Sequence, residues 1–297
     1  MCVTCGCGQG ETTVSGEGHV HTHADGTTHA HAHAHEHDHG HDHGHDHAHG
    51  HDHGHAHDHH HPHHHAHPHD LSVPGRDRRT IALEAAVLGK NQALAERNRG
   101  WLAGRGVLAL NLMSSPGAGK TTLLERCIRD LGSELPIAVV EGDQATSNDA
   151  ERIRATGAKA VQVNTGTGCH LEAGMLERAL KVLKPAPGSL LMIENVGNLV
   201  CPALFDLGEA AKVVIFSVTE GEDKPLKYPH MFRAADVLLL SKTDLLPHLR
   251  VDLQRMIDHA LIVNPGLRIF QVSAYSGDGL DAWYGWLRER IAERALA

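Results

Sequence analysis

The sequence predicts an α/β fold in which a mainly parallel sheet, flanked by helices, follows a disordered His-rich N-terminal segment. From residue 107 onward, short apolar runs alternate with segments of helical spacing. Continuous apolar strands separated by helices are typical of a parallel sheet that is covered on both faces. Composition changes sharply near residue 70, before which few side chains could form a core. We therefore predict a disordered metal-binding segment at 1–70 and one globular domain at 71–297.

The predicted elements follow from these patterns. Strands are expected at 107–113, 137–143, 160–164, 190–195, 212–218, 236–242 and 268–274. A helix over 78–102 leads into the domain, because its apolar residues recur at helical spacing. Asn148, with Glu151 three residues on, forms a capping box that predicts a helix start. The last helix is expected from about Leu280 to near the C-terminus.

Charge and hydropathy exclude two classes of function. Residues 1–70 hold ten acidic residues and no Lys or Arg, so the net charge of −9 belongs to this segment, and 26 acidic residues face 27 basic ones in the remainder. Nucleic-acid binding has no support, because there is no basic surface to neutralise phosphates. No apolar run approaches the roughly 18 residues of a membrane span, and the N-terminus does not resemble a signal peptide. We expect a cytoplasmic protein without membrane contact.

The N-terminal segment carries two kinds of metal ligand. Twenty-six of the 30 histidines precede residue 71, and their alternation with Asp and Gly favours many sites of moderate affinity that buffer metal. A purification tag would be shorter and uninterrupted. Cys2, Cys5 and Cys7 lie close together beside the terminal amine, a ligand set that suits Ni²⁺. An exposed reactive terminus without a ligand role is the alternative.

The stretch "SSPGAGKTT" (Ser114 to Thr122) predicts a phosphate-binding loop and hence a P-loop NTPase domain, because it follows a strand and precedes a helix. Lys120 would reach the β and γ phosphates, and the Thr121 hydroxyl would bind Mg²⁺. The strict pattern has Gly where this chain has Ser114, and a Gly-rich turn without ligand is the alternative. The expected nucleotide-binding residues here are Ser115, Gly117, Ala118, Gly119, Lys120, Thr121 and Thr122.

A later motif favours guanine over adenine. In "SKTD" (Ser241 to Asp244), the Asp244 carboxylate can accept hydrogen bonds from N1 and the amino group of guanine, while the Lys242 stem covers the ring. The backbone at Ser273 and Ala274, in "SAYSG", can approach the guanine carbonyl. The usual first residue of the motif is Asn, and a loop without this role is the alternative for so short a pattern.

Two acidic residues at strand ends are candidates for the reaction centre. Asp143 and Glu194 stand where a Mg²⁺ ligand and a γ-phosphate sensor are needed, and Gly197 could donate its N–H. Each carboxylate could instead be a helix cap or a loop residue.

A second metal site is predicted from Cys169, His170 and Cys201. Two thiolates and an imidazole at the nucleotide-facing edge could bind Zn²⁺ or Ni²⁺, with an open position or a partner subunit completing the shell. Alternatively, two small buried cysteines and a capping His fall there by chance. Because Cys201 follows the expected γ-phosphate sensor, nucleotide state and metal affinity would be linked reciprocally. Cys127 is predicted to be a core residue.

Taken together, these motifs resemble the HypB family of hydrogenase nickel-incorporation GTPases. The resemblance rests on "CVTCGC", the His-rich run, "NLMSSPGAGKTTLLE", "EGDQATSNDAERI", "TGTGCHL", "IENVGNLVCP", "EDKP" and "SKTDLL". It implies a slow GTPase that dimerises with nucleotide and, with a HypA-type nickel chaperone, passes nickel to the large subunit of a NiFe hydrogenase.

The resemblance also implies roles for residues. Cys2, Cys5 and Cys7 would be the high-affinity nickel site, and Cys169, His170 and Cys201 a weaker metal site near the dimer interface. Lys120, Thr121, Asp143 and Glu194 would serve phosphate and Mg²⁺, and Lys242 and Asp244 the base.

Three other functions are less well supported. The urease accessory GTPase UreG is similar in fold but typically carries a Cys-Pro-His motif, which is absent because Pro202 and Ala203 follow Cys201. A nickel store with a vestigial GTPase domain is disfavoured by the intact Lys120, Thr121, Asp143 and Asp244. A small-molecule kinase would need an acceptor pocket and an Arg-rich lid, neither of which the sequence indicates.

Overall fold

The computed structural model describes the backbone of residues 13–15, 21–22, 28–29, 78–143 and 148–295, and the side chains of 85–143 and 149–295. Contacts divide the chain into a unit of residues 1–19 with 78–297 and a unit of residues 20–77. The predicted boundary at residue 70 and the predicted disorder of most of 1–70 lie outside the described residues and stay predictions.

The elements agree closely with the sequence patterns. The strands are β1 (Thr13–Ser15), β2 (His21–Thr22), β3 (Thr28–His29), β4 (Leu108–Ser114), β5 (Ile137–Asp143), β6 (Lys159–Asn164), β7 (Leu190–Glu194), β8 (Ala211–Ser217), β9 (Val237–Ser241) and β10 (Arg268–Gln271). The helices are α1 (Arg78–Ala103), α2 (Lys120–Leu131), α3 (Asn148–Ala155), α4 (Ala173–Leu183), α5 (Cys201–Leu204), α6 (Lys224–Lys227), α7 (Pro229–Ala234), α8 (Leu253–Val263) and α9 (Leu280–Ala295), with a 3₁₀ helix at Thr243–His248.

All seven predicted strands are confirmed, as are the long first helix, the helix start at Asn148 and the last helix from Leu280. The side chain of Asn148 is outside the described ones, so its capping box stays a prediction. In the smaller unit, β2 and β3 form an antiparallel pair.

One sheet organises the larger unit, with strand order β1-β6-β5-β7-β4-β8-β9-β10. The seven strands from β4 onward are parallel, whereas β1 runs antiparallel to β6 at the edge. β1 was not predicted, because "TVS" contains a single apolar residue.

Helices cover both faces of the sheet. Leu108, Leu110 and Leu112 of β4 pack with α2 and α9. Ala109 of β4 and Val107, which precedes the strand, join the cluster that contains α4. A third buried cluster contains Met113 of β4 together with side chains of α7 and α8. The chain leaves β4 toward β5 on one side of the sheet and leaves the neighbouring β7 toward β8 on the other, so the carboxyl ends of β4 and β7 form the switch point at which α/β sheets bind ligands. Of the helices in the described part of the chain, none is both long and apolar enough to cross a membrane.

Candidate nucleotide and metal sites

The loop between β4 and α2 has the geometry that an anion-binding turn requires. Gly119, which precedes the first residue of α2, has φ +96°, and Gly117 has φ +74°. These left-handed conformations cost a glycine little, because it has no Cβ. The loop therefore leads directly into α2, and the free N–H groups of the first helical turn lie beside it. An anion is stabilised at such a helix N-terminus.

Lys120 already has a partner inside this loop. Its ammonium donates a hydrogen bond to the Ser114 hydroxyl over 2.8 Å, and both side chains are buried. Burial lowers the pKa of Lys120, while the negative charge of Glu194 acts in the opposite direction. The departure from the strict motif at Ser114 thus supplies a hydroxyl group for the lysine.

Glu194 faces the start of α2 from the end of β7. The Thr121 hydroxyl donates to its Oε1 over 2.8 Å, and its Oε2 is buried without a hydrogen-bond donor among the described residues. Burial raises the pKa of Glu194 to about 7. This side chain therefore has one oxygen free to receive a cation or a proton.

A second buried carboxylate, Glu141, was missed by sequence reasoning. It is paired with Glu194 in the register of β5 and β7, and its Oε2 likewise meets no donor in the part of the chain that the structure describes. Burial, and then repulsion from Glu194 and Asp143, raises the pKa of Glu141 to about 8. Its position inside "IAVVEGD" looked like strand interior, and only the register reveals the pairing.

These groups share one cleft. Its volume is about 550 Å³. The predicted residues that line it are Gly117, Gly119, Lys120, Thr121, Thr122, Asp143, Glu194, Gly197 and Lys242, and Asp149, Arg152 and Asn195 join them. Gly197 packs on the phosphate loop, because a Cβ there would lie 3.2 Å from Cα of Pro116. The Thr121 hydroxyl and the carboxylates of Glu141 and Glu194, each with one oxygen that meets no donor among the described residues, are a donor set that fits Mg²⁺.

A smaller cavity of about 220 Å³ adjoins this cleft and is lined by three of the four predicted base-binding residues, Lys242, Asp244 and Ala274, but not by Ser273. Its lining includes Ala118, Gly119, Thr122, Ser241, Lys242, Asp244, Ala274 and Tyr275. Lys242 adopts φ +60° and donates to the Gly117 carbonyl over 2.7 Å, so its stem lies along the phosphate loop. The Ser273 hydroxyl donates to Asp244 Oδ1 over 2.5 Å, which orients the carboxylate.

Two serines hold the phosphate loop in place from outside the cleft. Ser241 donates to the Ala118 carbonyl over 2.8 Å, so the residue that replaces the usual Asn still ties the base motif to the loop. Ser115 donates to the Glu220 carboxylate, which also accepts the N–H of Ser217 and lies 3.5 Å from Lys224. Ser115 therefore anchors the loop to the segment after β8, and Glu220 was not anticipated from the sequence.

The predicted metal ligands Cys169, His170 and Cys201 converge. One ligand atom from each lies within 4.8 Å of the others, and all three side chains are buried. The imidazole stacks on Phe205, with ring centroids 3.9 Å apart, and burial lowers the pKa of His170 to about 4. The neutral imidazole can thus donate an electron pair to a metal without first losing a proton. Cys127, on the buried face of α2, lies in the core, as predicted.

A short segment connects the two sites. Glu194 ends β7 in the cleft, and Cys201 begins α5 seven residues later. The Asn198 side chain accepts the N–H groups of Val200 and Cys201, which fixes the start of α5. Cys2, Cys5 and Cys7 lie outside the described residues, and their nickel site stays a prediction.

Comparison with known proteins identifies the family. The family described as "CobW/HypB/UreG, nucleotide-binding domain" matches residues 108–271. The chain is 59% identical over 225 residues to the hydrogenase maturation factor HypB of Rhizobium leguminosarum bv. viciae, covering 75% of each chain. Crystal structures of HypB from Archaeoglobus fulgidus and of HypB from Helicobacter pylori in complex with nickel both superpose with a TM-score of 0.65. Their identities are 41% and 40%, over 69% of this chain and 100% and 96% of theirs.

With a phosphate loop, a base cavity and a buried Cys-His-Cys cluster on one sheet edge, and with these relatives, the chain belongs to the CobW/HypB/UreG family of P-loop GTPases, among its HypB hydrogenase maturation factors.

Proposed function

We propose that this protein is a GTP-hydrolysing nickel metallochaperone that binds and stores nickel and delivers it to the large subunit of a NiFe hydrogenase. The observation that carries the proposal is the six-residue connection between Glu194 in the nucleotide cleft and Cys201 in the Cys-His-Cys cluster. The nickel complex of the Helicobacter pylori relative supports nickel as the cargo.

In this proposal each part of the cleft has one task. Lys120 and the loop N–H groups bind the phosphates, Thr121, Asp143 and Glu194 hold Mg²⁺, and Asp244 with Lys242 selects guanine. Mg²⁺ would supply positive charge against the phosphate oxygens. Gly197 would donate its N–H to the γ-phosphate, so the segment that ends at Cys201 would sense whether GTP or GDP is bound.

The metal cluster would then change affinity with nucleotide state. Three protein ligands leave one position of a tetrahedral or square-planar shell open. A ligand from a second copy of the chain, from the HypA-type chaperone or from the protein that receives the nickel would fill that position. Cys2, Cys5 and Cys7 would bind nickel tightly, the His-rich run would store it, and the protein would work in the cytoplasm as a nucleotide-dependent homodimer. Zn²⁺ would compete for the same thiolates and imidazole.

The test uses the full chain with Cys2, Cys5 and Cys7 changed to Ser. In this background, the thiolate-to-nickel absorption band reports only the remaining cysteines, and the imidazole run does not contribute. We expect the nickel dissociation constant to differ by about fivefold or more between a non-hydrolysable GTP analogue and GDP. Cys201→Ala should abolish the band, whereas Cys127→Ala, a matched loss of a buried thiol, should keep the difference.

The outcomes separate the proposal from its rivals. Equal nickel affinity in both nucleotide states would remove the proposed switch. GTP turnover no faster in the wild type than in Lys120→Ala would favour a nickel store with a vestigial GTPase domain.

A further inference from the structure

Leu171 is buried beside the metal cluster and contacts both acid-bearing strand ends of the nucleotide cleft. It directly follows His170, and its side chain is completely buried. Its backbone N–H donates to Oδ1 of Asn195 over 3.1 Å. Asn195 follows Glu194, so this hydrogen bond joins the residue after one metal ligand to the residue after the candidate Mg²⁺ ligand.

The side chain of Leu171 makes a second connection. A Cβ at Gly142 would lie 2.7 to 2.9 Å from three Leu171 carbons, so the leucine packs directly on the Gly142 backbone. Gly142 stands between Glu141 and Asp143 in β5, and any side chain larger than hydrogen would displace the leucine. Leu171 therefore packs against the strand that carries the cleft carboxylates Glu141 and Asp143.

The turn that precedes Cys169 is attached to the same strand. The Thr165 N–H donates to the Asp143 carbonyl over 2.9 Å, and the Thr165 hydroxyl donates to the Gly168 carbonyl over 2.7 Å. Cys169 and His170 thus lie between two attachments to the cleft, one through Thr165 and one through Leu171.

Asn195 cannot shift alone, because its side chain is held on both sides. Its oxygen also accepts the Val196 N–H over 3.0 Å, and its amide donates to Asn111 over 3.1 Å. Asn111 in turn donates to Glu209 over 3.1 Å, and all three side chains are buried. Breaking one of these hydrogen bonds would leave a buried polar group unpaired, which costs free energy. A movement of Asn195 should therefore carry Asn111 and Glu209 with it.

We propose that Leu171 is a positioning residue that transmits the state of the nucleotide cleft to Cys169 and His170. This route is additional to the segment that carries Cys201, and it rests on the proposed function, in which nickel affinity depends on nucleotide. Movement of Glu194 or Asp143 toward Mg²⁺ and phosphate would displace Asn195 or Gly142 and, through Leu171, two of the three metal ligands. The coupling would act in both directions, because linked binding is reciprocal.

Leu171→Ala tests the coupling in the same Cys2, Cys5 and Cys7 to Ser background of the full chain. The measured quantity is the ratio of nickel dissociation constants with the non-hydrolysable GTP analogue and with GDP. We expect nickel still to bind, because all three ligands remain, and the ratio to fall from about fivefold or more to within about twofold of unity. Leu183→Ala is the matched control, because it removes the same atoms from the same core cluster at the far end of α4.

Gly142→Ala provides a second test that deletes nothing from the core. Its added methyl group pushes on Leu171, so the ratio should change, and combining it with Leu171→Ala should relieve that pressure and leave the ratio of Leu171→Ala alone. If Leu171→Ala does not fold, Gly142→Ala decides the question.

The results distinguish two failures. A wild-type ratio of one would overturn the proposed nucleotide switch and the role of Leu171 with it. A wild-type ratio that survives in Leu171→Ala and Gly142→Ala, or that falls equally in Leu183→Ala, would overturn the role of Leu171 alone.

Discussion

The Thr121 hydroxyl donates to Glu194 Oε1 over 2.8 Å, which joins the first turn of α2 to the end of β7 across the nucleotide cleft. One oxygen of Glu194 is thereby occupied, while the other is buried and has no donor among the described residues. The pair is preorganised for a hard cation, because a hydroxyl and a carboxylate oxygen already converge.

Glu194→Gln should lower Mg²⁺-dependent GTP turnover by at least about tenfold, since the amide keeps the shape but loses the charge that holds the cation. Steady-state phosphate release against Mg²⁺ concentration measures the effect. Nucleotide binding in EDTA should not weaken, because Mg²⁺ is absent there. Unchanged Mg²⁺ dependence in the variant would assign the cation to other ligands.

Glu141 should make the nucleotide-free protein less stable as pH rises. Its folded pKa is about 8 against an ordinary value of 4.5, so the folded state binds the extra proton. Its stabilising contribution is therefore complete below about pH 4.5 and lost as pH rises through 8. Denaturant unfolding in EDTA should show Glu141→Gln flattening this decline by roughly 3 to 4 kcal/mol between pH 5 and 8. Parallel curves for both proteins would contradict the prediction.

Asp244→Asn should change the base preference from guanine to xanthine. A carboxylate accepts two donors from guanine, whereas an amide offers one acceptor and one donor, which matches the second carbonyl of xanthine. We expect GTP to bind about 100-fold more weakly and XTP to bind more tightly. Competition with a fluorescent nucleotide measures both. Ser273→Ala, which only frees the carboxylate from its hydrogen bond, should have a smaller effect and no gain for XTP.

Phe205→Ala should weaken metal binding without touching the nucleotide cleft. The phenyl ring stacks on His170 at 3.9 Å and holds the imidazole in one orientation. Loss of such support around a ligand typically costs about 10-fold or more in metal affinity. Titration with nickel, followed by the thiolate-to-nickel absorption band, measures the affinity. Leu204→Ala, which truncates the exposed neighbouring side chain, is the control. Equal affinities in both variants would show that the ring does not orient the ligand.

The N-terminal segment and the P-loop domain should be separable. Deleting residues 19–69 should lower the number of nickel ions bound while leaving GTP turnover unchanged, and Lys120→Ala should abolish turnover while N-terminal nickel binding remains. Metal stoichiometry and phosphate release on both variants check this. Loss of hydrolysis in the deletion variant would mean that the segment supports the nucleotide site.

Local patterns were sufficient for the strands, the principal helices and the phosphate loop. A parallel strand buried on both faces is a continuous apolar run, and the loop has a sequence of its own. β1 was not predicted because its single apolar residue forms no pattern and its pairing with β6 is non-local. Strand order likewise follows from contacts that no single segment contains.

The site was predicted less completely. Cys169 and Cys201 are 32 residues apart, and only the fold brings their ligand atoms within 4.8 Å. Glu141 acquires its raised pKa from burial and from Glu194 on a neighbouring strand, neither of which its own sequence context reveals. The hydrogen bond from Ser115 to Glu220 and the packing of Leu171 on Gly142 join residues that are distant in sequence, so no local pattern reveals them.

The hydrogen bond from Lys120 to Ser114 changes what nucleotide binding must accomplish. The fold itself fixes the long lysine side chain through this hydrogen bond, so the entropy of ordering that side chain is lost during folding rather than during nucleotide binding. In the proposed function, a phosphate oxygen would replace the neutral Ser114 hydroxyl as the partner of an ammonium group that is already oriented. Ser114 would thus occupy, beside the ammonium group, the position that a phosphate oxygen takes when nucleotide binds.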